Sequence, residues 1–490
     1  MEFMNPEAFK ENAREAIADE NLRQSLNSLE TGFVRNRQAA IDALPEFDIL
    51  RDRGVEIKNH VLHHLDYYLE QFEKNCLAQG GHVHWCPEAA DARQVILEIC
   101  QAANAKTVTK GKSMVAEEIG LNAFLERQNI TPVETDLGEY IIQLAEEPPS
   151  HLIAPAIHKT KEQVSDLFFK HHRKFGKTER QSEPGKLIAE AREILRSRYY
   201  QADVGITGAN FLIAESGSSI IVTNEGNGDL TQTLPKVHVV ITTIEKVIPT
   251  LEDLSTLLRL LARSATGQEF SAYTTISTGP RRPEDLDGPE EYHVVILDNG
   301  RSAMLGTDFH DMLRCIKCGS CMNHCPVYQS VGGHSYGTVY VGPMGAVLSP
   351  ALLGVKQTRH LPNASTFCGR CEAVCPMNIP LPKMLRRWRE ISHDNGDTPM
   401  VERSAIKCWA WVARQPWLYG LSVRVAARLL SWAGGRGGRI SRQWPLLKTW
   451  TRARDFPAPQ GRSFQEQWAR QQRDAQKLAR SGQARSGPTP

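Results

Sequence analysis

The chain has 490 residues, of which 41% are hydrophobic and 23% are charged, a composition typical of globular proteins with about two to four domains. The net charge is +2, but residues 391–490 carry 17 Lys and Arg against 6 Asp and Glu, so the remaining residues carry −9. No uncharged apolar run reaches the ~18 residues of a membrane span and no export signal is recognisable, so we expect a cytoplasmic protein.

Residues 1–75 are predicted to form a helical N-terminal region. The segment Asn5-Pro6-Glu7 is typical of a helix start, because Pro is favoured at the first helical position. Apolar residues then recur at helical spacing between Leu62 and Leu69.

Residues 76–304 alternate short β-rich runs with helical stretches, which predicts an α/β domain with a largely parallel sheet. The predicted strands include 82–85, 107–109, 151–154, 219–223, 237–243 and 293–297. The predicted helices between them include 113–128 and 251–264.

Three polar, glycine-rich turns lie at 205–210, 215–219 and 223–228. Backbone amides in such turns can cradle a phosphate or carboxylate, and ordinary turns without a ligand are the alternative. Lys110 and Lys112 follow a predicted strand and are further candidates for contact with an anion, although the P-loop glycine is absent. The candidate acid–base groups, each of which has a cap or surface position as its alternative, are Asp136, Glu139, Glu215 and Glu225.

Residues 305–385 contain seven of the eleven cysteines, in a C-x2-C-x2-C-x3-C-P run and a shorter C-x2-C-x3-C-P run. This spacing is typical of proteins that hold two cubane iron–sulfur clusters, in which the Cys before each Pro ligates the other motif's cluster. The rule predicts cluster one on Cys315, Cys318, Cys321 and Cys375, and cluster two on Cys325, Cys368 and Cys371.

Cluster two is one thiolate short, because Ser365 stands three residues before Cys368. Ser365 or another oxygen ligand can complete a [4Fe–4S] cluster, the fourth iron can be absent to leave [3Fe–4S], or a distant thiol such as Cys408 can bind. We favour two [4Fe–4S] clusters, the second with three protein thiolates. Zinc, which prefers four ligands in two pairs, and a disulfide framework fit the spacing less well.

Residues 390–455 are basic and rich in tryptophan, and residues 403–432 are predicted to form one or two amphipathic helices. A basic surface indicates an anionic partner, either another subunit or lipid on the inner face of the cell membrane. No nucleic-acid reading motif is present, so nucleic acid is not expected. Residues 456–490, rich in Gln, Arg, Gly and Pro, are predicted to be disordered.

The chain resembles the lactate-utilisation protein B family, iron–sulfur subunits of bacterial L-lactate oxidation systems. The resemblance covers about residues 50–450 and lies in the cysteine motifs and in segments 112–118, 134–140, 205–210, 215–227, 263–267 and 342–347. It implies an α/β lactate-utilisation domain, then an α-helical dicluster ferredoxin-like domain, then a mainly helical family-specific C-terminal region. Three cysteines in the second motif agree with the family pattern, whereas Cys86 stands where a small apolar residue is expected.

The resemblance implies electron transfer during oxidation of L-lactate to pyruvate, with other subunits of a lactate oxidation complex and a respiratory electron acceptor as partners. The chain has no flavin or nicotinamide fingerprint, so substrate oxidation is expected elsewhere in that complex. Three alternatives stay open: an α/β domain that oxidises lactate itself, a cluster-based regulator, and a ligand-binding module with structural clusters. Candidate residues for tuning the clusters or guiding a partner are Lys317, Asn323, His324 and Arg370.

Overall fold

The computed structural model describes residues 5–440, 451 and 455–483. Its contacts divide the chain into two units, Met1–Asp397 and Thr398–Pro490. The first unit begins with five α-helices, as predicted: α1 (Phe9–Ala18), α2 (Glu20–Leu29), α3 (Arg35–Asp42), α4 (Phe47–His63) and α5 (Leu65–Ala78). Asp19 starts α2, because its carboxylate accepts the Leu22 N–H at 3.0 Å.

Ten strands follow in the first unit. They are β1 (His82–Cys86), β2 (Thr107–Lys110), β3 (Thr131–Glu134), β4 (Val204–Gly208), β5 (Phe211–Ile213), β6 (Ser218–Thr223), β7 (Val237–Thr243), β8 (Val247–Ile248), β9 (Tyr273–Ser277) and β10 (Glu291–Leu297). Six form a parallel sheet in the order β1-β10-β7-β4-β2-β3, and the other four form a smaller sheet in the order β8-β5-β6-β9. Every residue of β7 is buried, as expected for a central strand covered on both faces.

The helices between the strands are α6 (Ala89–Ala102), α7 (Met114–Glu118), α8 (Leu121–Arg127), α9 (Leu137–Ala145), α10 (Lys161–His171), α11 (Pro184–Gln201), α12 (Asn227–Thr233) and α13 (Leu251–Ala265). The predicted helix 113–128 is divided into α7 and α8 because Gly120 adopts a left-handed φ of 63°.

The predicted strand 151–154 is wrong. The N–H groups of Ile153 and Ala154 bond to the His151 Nδ1 atom, at 2.9 and 3.0 Å, and not to a neighbouring strand.

Six helices carry the cysteine motifs and their surroundings: α14 (Ser320–Asn323), α15 (Pro326–Val331), α16 (Gly342–Leu353), α17 (Val355–Thr358), α18 (Arg370–Ala373) and α19 (Leu381–Asp394). They share one hydrophobic core with the N-terminal helices. The glycine-rich segment 331–345 lies against this core, and a Cβ atom at Gly337 would overlap the Asn5 carbonyl oxygen. The parallel sheet, this helical region and the helical C-terminus confirm the predicted fold class.

A buried ionic network joins the α/β region to the cysteine-bearing region. The Arg301 guanidinium donates to both oxygens of the Glu118 carboxylate, at 3.0 and 2.6 Å. The Tyr340 hydroxyl donates to the same carboxylate at 2.6 Å, and Asn299 donates at 2.7 Å. Because Glu118, Arg301 and Tyr340 are buried and the charges are paired, the network fixes the two regions relative to each other.

The second unit contains α20 (Met400–Ala413), α21 (Pro416–Gly434), β11 (Arg439–Ile440), β12 (Phe456–Pro457) and α22 (Phe464–Gln483). The helices expected across 403–432 are present. Disorder was expected across 456–490, but residues 464–483 of this range form α22. The cause is a capping box, in which Ser463 and Glu466 bond to each other's backbone N–H at 3.0 and 3.3 Å. Trp444, Trp450 and residues 484–490 lie outside the described residues.

Shorter helical segments complete the fold. A π-helical segment spans Glu30–Val34, and 3-10 segments span Pro6–Ala8, His172–Phe175, Ile244–Lys246, Ser302–Met304, His310–Arg314, His334–Tyr336 and Gly435–Gly437. Among the helices of the described residues, none combines the length and the apolar character that a bilayer crossing requires.

Candidate iron–sulfur centre

Four cysteines line one small cavity whose other walls are mainly apolar. Three come from the first motif, and the fourth comes from the second: Cys315, Cys318, Cys321 and Cys375. We call these the first thiol group. All but Cys315 are buried. Four thiols around a cavity of apolar walls fit a thiolate-ligated iron–sulfur cluster in both ligand type and ligand number.

Burial dominates the protonation of this group. It raises the pKa of Cys318 to about 12 and that of Cys375 to about 11, and it holds the pKa of Cys321 well above its ordinary value. The neighbouring thiols act in the same direction, because each disfavours a second negative charge nearby. Uptake of a metal therefore has to displace protons from these thiols, so that binding is coupled to proton release.

The remaining motif cysteines form a second thiol group, Cys325, Cys368 and Cys371. Burial raises the pKa of Cys371 to about 12, and Cys325 and Cys368 both add to the shift. Cys371 also raises the pKa of Cys321 in the first group, so the two groups adjoin. They differ in exposure, because Cys368 is exposed and no cysteine of the first group is.

One backbone turn occurs in both motifs. In the first motif Lys317 has a left-handed φ of 60° and donates its N–H to Cys315 Sγ at 3.4 Å. In the second motif Phe367 has a φ of 53° and donates its N–H to Ser365 Oγ at 3.2 Å. A left-handed glycine follows two residues later in each copy, at Gly319 and Gly369. Ser365 therefore takes the place in the second turn that a cysteine takes in the first.

The sulfur spacing bears on the zinc alternative. Zn–S bonds of about 2.3 Å place the sulfurs of a tetrahedral zinc site about 3.8 Å apart. Among the cysteines, all of which lie in the described part of the chain, no three sulfurs come within 4.8 Å of one another. The wider spacing favours a polynuclear group.

Peptide N–H groups point at most of the sulfurs, because short helices begin directly after the cysteines. At four of the five buried motif cysteines they oppose the pKa shift caused by burial. The donors are Ser320 for Cys318, Val327 and Tyr328 for Cys325, Glu372 for Cys371, and Met377 and Ile379 for Cys375. At exposed Cys368 the Arg370 N–H is the largest effect, and the pKa lies below its ordinary value. Such donors stabilise thiolates and tune cluster potentials.

Of the four candidate tuning residues, two are engaged in hydrogen bonds within the fold. Asn323 accepts a hydrogen bond from His151 Nε2 at 2.6 Å, and His324 donates to the Ser320 carbonyl at 2.9 Å, so both are occupied in the fold. The Lys317 ammonium lies 4.5 Å from the centre of the Tyr340 ring, and Arg370 is exposed.

Sequence reasoning missed two arginines of the N-terminal helices. Arg37 donates to the Val374 carbonyl at 2.8 Å, and Arg51 donates to the Cys375 carbonyl at 3.0 Å. They add positive charge beside the second motif, more than 300 residues away in sequence. No local pattern marks them, because only the fold brings them there.

A second cavity, of about 380 Å³, opens at the carboxyl edge of the parallel sheet. Three lysines from three parts of the chain line it, and we call it the lysine cavity: Lys112, Lys246 and Lys317. Two of the three predicted ligand-binding turns, at 205–210 and 223–228, contribute to its wall through residues such as Asn210 and Glu225. Asp136 lies there as well.

The other candidates lie elsewhere. Glu215, in the third turn, caps α13 by accepting the Leu251 N–H at 2.6 Å. Lys110 is fully buried and pairs with Glu117 and Glu134, each at 2.7 Å, so it is not available to an anion. Glu139 lies with these two carboxylates, and burial raises its pKa well above the ordinary value.

Comparisons with known families agree with this architecture. A family model described as "LUD domain" matches residues 69–297, one described as "4Fe-4S dicluster domain" matches residues 311–379, and one described as "Lactate utilisation protein B, C-terminal" matches residues 370–473. The dicluster match supports iron–sulfur clusters as the group that the two thiol groups hold.

Full-length relatives are also similar to the chain. "Lactate utilization protein B" of Lysinibacillus sphaericus is 44% identical over 93% of this chain and 95% of its own. "Uncharacterized electron transport protein YkgF" of Escherichia coli is 41% identical over 96% of this chain and 98% of its own. A crystal structure of a DUF162 family protein from Deinococcus radiodurans covers 48% of this chain and 98% of its own, at 13% identity and a TM-score of 0.27.

Proposed function

The chain belongs to the lactate utilization protein B family, and on that premise we propose that it is the iron–sulfur electron-transfer subunit of a complex that oxidises L-lactate to pyruvate. The observation that carries this proposal is the convergence of four cysteines, from two motifs, on one cavity, with three more in an adjoining group. A cubane iron–sulfur cluster accepts and releases single electrons. The two groups are proposed to hold one [4Fe–4S] cluster each.

The residues around the two groups support different roles for them. The first thiol group is closed by apolar residues such as Met344, Met377 and Leu381, which keep water away. The second group has exposed Cys368 and exposed Phe367 at its surface. Electron exchange requires close approach of a partner, so we place the contact for the partner at the second group.

The C-terminal unit supports the assignment of a protein partner. Its helices α20 and α21 expose four tryptophans, at Trp409, Trp411, Trp417 and Trp432, among arginines. Tryptophan and arginine are enriched where proteins contact each other. We therefore favour docking on another subunit of the complex over docking on lipid.

The decisive experiment is iron and sulfide counting with EPR on anaerobically purified protein. Two signals on reduction and about eight irons per chain are expected for two [4Fe–4S] clusters. About seven irons with a signal in the oxidised state would instead indicate [3Fe–4S] in the second group. Colourless, iron-free protein after careful reconstitution would overturn the proposal.

A second function is favoured by the lysine cavity, whose lining includes Lys317, between Cys315 and Cys318 in the chain. In that alternative the α/β region binds and oxidises the hydroxy acid itself. Dye-coupled turnover separates the two functions. Iron-replete protein without partners is expected to give no turnover of L-lactate if it transfers electrons only, and turnover if it is the catalytic subunit.

A further inference from the structure

We propose that the lysine cavity binds a small 2-hydroxycarboxylate or the corresponding 2-oxocarboxylate, with the carboxylate held between Lys112 and Lys246. The choice of lactate and pyruvate as the test ligands rests on the proposed function. The assignment of a carboxylate site rests on the cavity itself.

The position of the cavity is the first argument. Lys112 follows β2, Gly208 ends β4, and Lys246 follows β7, so the wall is built from the carboxyl ends of three neighbouring parallel strands. In open parallel sheets, ligands bind outside this edge of the strands. Gly208 gives close access, since a Cβ atom there would lie 3.2 Å from Ser113 Oγ.

The charges are the second argument. The Lys246 side chain is only 6% exposed, and within residues 5–440, 451 and 455–483 its ammonium has no hydrogen-bond or ion-pair partner. Lys112 donates to the Ile153 carbonyl at 2.5 Å and keeps further donors free. A buried ammonium without a bonded counter-ion, as at Lys246, is costly, and an anion between Lys246 and the half-buried Lys112 would bond to both.

The acidic side chains are the third argument, because they select among anions. Asp136 and Glu225 line the same cavity, and each accepts one backbone N–H, from Glu139 and Leu137. Their remaining lone pairs can accept a hydrogen bond from a hydroxyl group, which a 2-hydroxy acid offers. The two carboxylates repel a phosphate dianion, because it carries more negative charge than a 2-hydroxycarboxylate and has few hydrogen-bond donors to offer them. The mixed lining therefore fits a singly charged hydroxy acid better than inorganic phosphate.

The position of Lys317 connects the cavity to the first thiol group. This residue lies between Cys315 and Cys318 in the chain, and it lines the cavity. Cys315 also affects the pKa of Lys246. A bound carboxylate would bring a negative charge to the first thiol group, so its binding is expected to disfavour reduction there.

The test is isothermal titration of anaerobically purified, iron-replete full-length protein with L-lactate, pyruvate, acetate and inorganic phosphate. Lactate is expected to bind more tightly than acetate, which lacks the hydroxyl, and phosphate is expected to bind most weakly. Lys246→Met and Lys112→Met are each expected to weaken lactate binding about tenfold or more. Lys356→Met, at an exposed position on α17, is the matched control and is expected to leave binding unchanged.

A further variant tests the selection among anions. Glu225→Gln removes a negative charge from the wall, so it is expected to strengthen phosphate binding and to reduce the preference for lactate over acetate. Two results would overturn the inference: lactate affinity that is unchanged in both lysine variants, or the absence of lactate and pyruvate binding to iron-replete protein. Neither result affects the electron-transfer proposal, which fails instead if the iron or the EPR signals are missing while lactate still binds.

Discussion

Ser365 Oγ and Cys315 Sγ occupy equivalent places in two copies of one turn, and each accepts the N–H of the residue two positions later. The similarity includes the left-handed backbone of Lys317 and Phe367, so the serine is not a local irregularity of the second motif. At the position where the first motif has the sulfur of Cys315, the second motif has the hydroxyl of Ser365. At this position the two motifs have the same backbone conformation and differ in one side-chain atom, a sulfur at Cys315 and an oxygen at Ser365.

Ser365→Cys is expected to give the second group a fourth thiolate. Since even indirect changes at a metal site alter affinity by about 10–100-fold, we expect loss of the second cluster's iron in air to slow by about tenfold or more. The measurement is the iron content and the EPR signal during exposure to air. Equal rates of loss in the variant and the parent would show that residue 365 does not face the cluster.

Ser365→Ala decides whether the hydroxyl is itself a ligand. If Ser365 Oγ binds iron, the alanine variant is expected to lose about one iron per chain, with conversion of the second signal to that of [3Fe–4S]. If the fourth ligand is water or another group, the iron count and the spectrum stay the same. The signal of the first thiol group is the internal control.

Each motif is expected to supply its last cysteine to the cluster of the other motif, and this predicts which cluster each substitution removes. Cys325→Ala is expected to damage the second site although Cys325 belongs to the first motif, and Cys375→Ala is expected to damage the first site. EPR of each variant identifies the missing signal. Cys408→Ala, at an exposed thiol in the second unit, is the control and is expected to keep all the iron. Loss of the second signal in this control would instead make Cys408 the fourth ligand.

The network around Glu118 is expected to carry a large share of the stability of the first unit. Arg301→Met leaves the Glu118 carboxylate buried without its cation and is expected to lower the free energy of unfolding by about 3–5 kcal/mol. Arg180→Met, which removes a surface pair with Asp166, is expected to cost less than about 1 kcal/mol. Denaturant unfolding of both variants measures the difference.

His238 predicts a pH dependence of stability. Burial lowers its pKa to about 3, and the ring lies 2.8 Å from the Thr207 hydroxyl. The unfolded chain takes up this proton near pH 6.5 and the folded chain does not, so stability is lost as pH falls below 6.5. Between pH 7.5 and 5.5 the loss from this residue is about 1.4 kcal/mol. Unfolding of His238→Gln at the two pH values is expected to show a dependence that is smaller by this amount.

The exposed tryptophans of α20 predict a docking contact with the partner, in addition to the electron-exchange contact proposed at the second thiol group. Replacing both Trp409 and Trp411 by Ala is expected to weaken co-purification with the other subunits at least about tenfold, because exposed aromatic anchors dominate interfaces. Iron content is expected to be unchanged. A parallel flotation assay with anionic lipid vesicles tests the lipid alternative, and vesicle binding that depends on these tryptophans would support it.

The iron–sulfur motifs and the long strands could be predicted from the sequence because their signals are local. The cysteine spacing is contained in two short segments, and the run of apolar and β-branched residues at 237–243 indicates strand β7 by itself. Five strands were missed, namely β3, β4, β5, β8 and β9. β5 and β8 have only three and two residues, which is too short for a clear alternation of apolar and polar residues. β3, β4 and β9 have four or five residues, as the predicted β1 and β2 do, so length does not explain why they were missed.

The lysine cavity could be predicted only in part. The turns at 205–210 and 223–228 and Lys112 suggested a ligand site, but Lys246 and Lys317 reach it from β7 and from the first cysteine motif. Such convergence depends on strand order, which no local pattern contains. The same holds for Glu215, whose carboxylate caps a helix that begins 36 residues later.

The contacts of Arg37 and Arg51 with the second motif have a consequence for biosynthesis. Arg37 and the Val374 carbonyl are separated by 337 residues, so the ribosome completes the amino-terminal helices long before their docking surface exists. Contacts of such long range form slowly. We therefore expect the amino-terminal helices to lack their contacts with the second motif until most of the chain has emerged from the ribosome and the cysteines can bind iron.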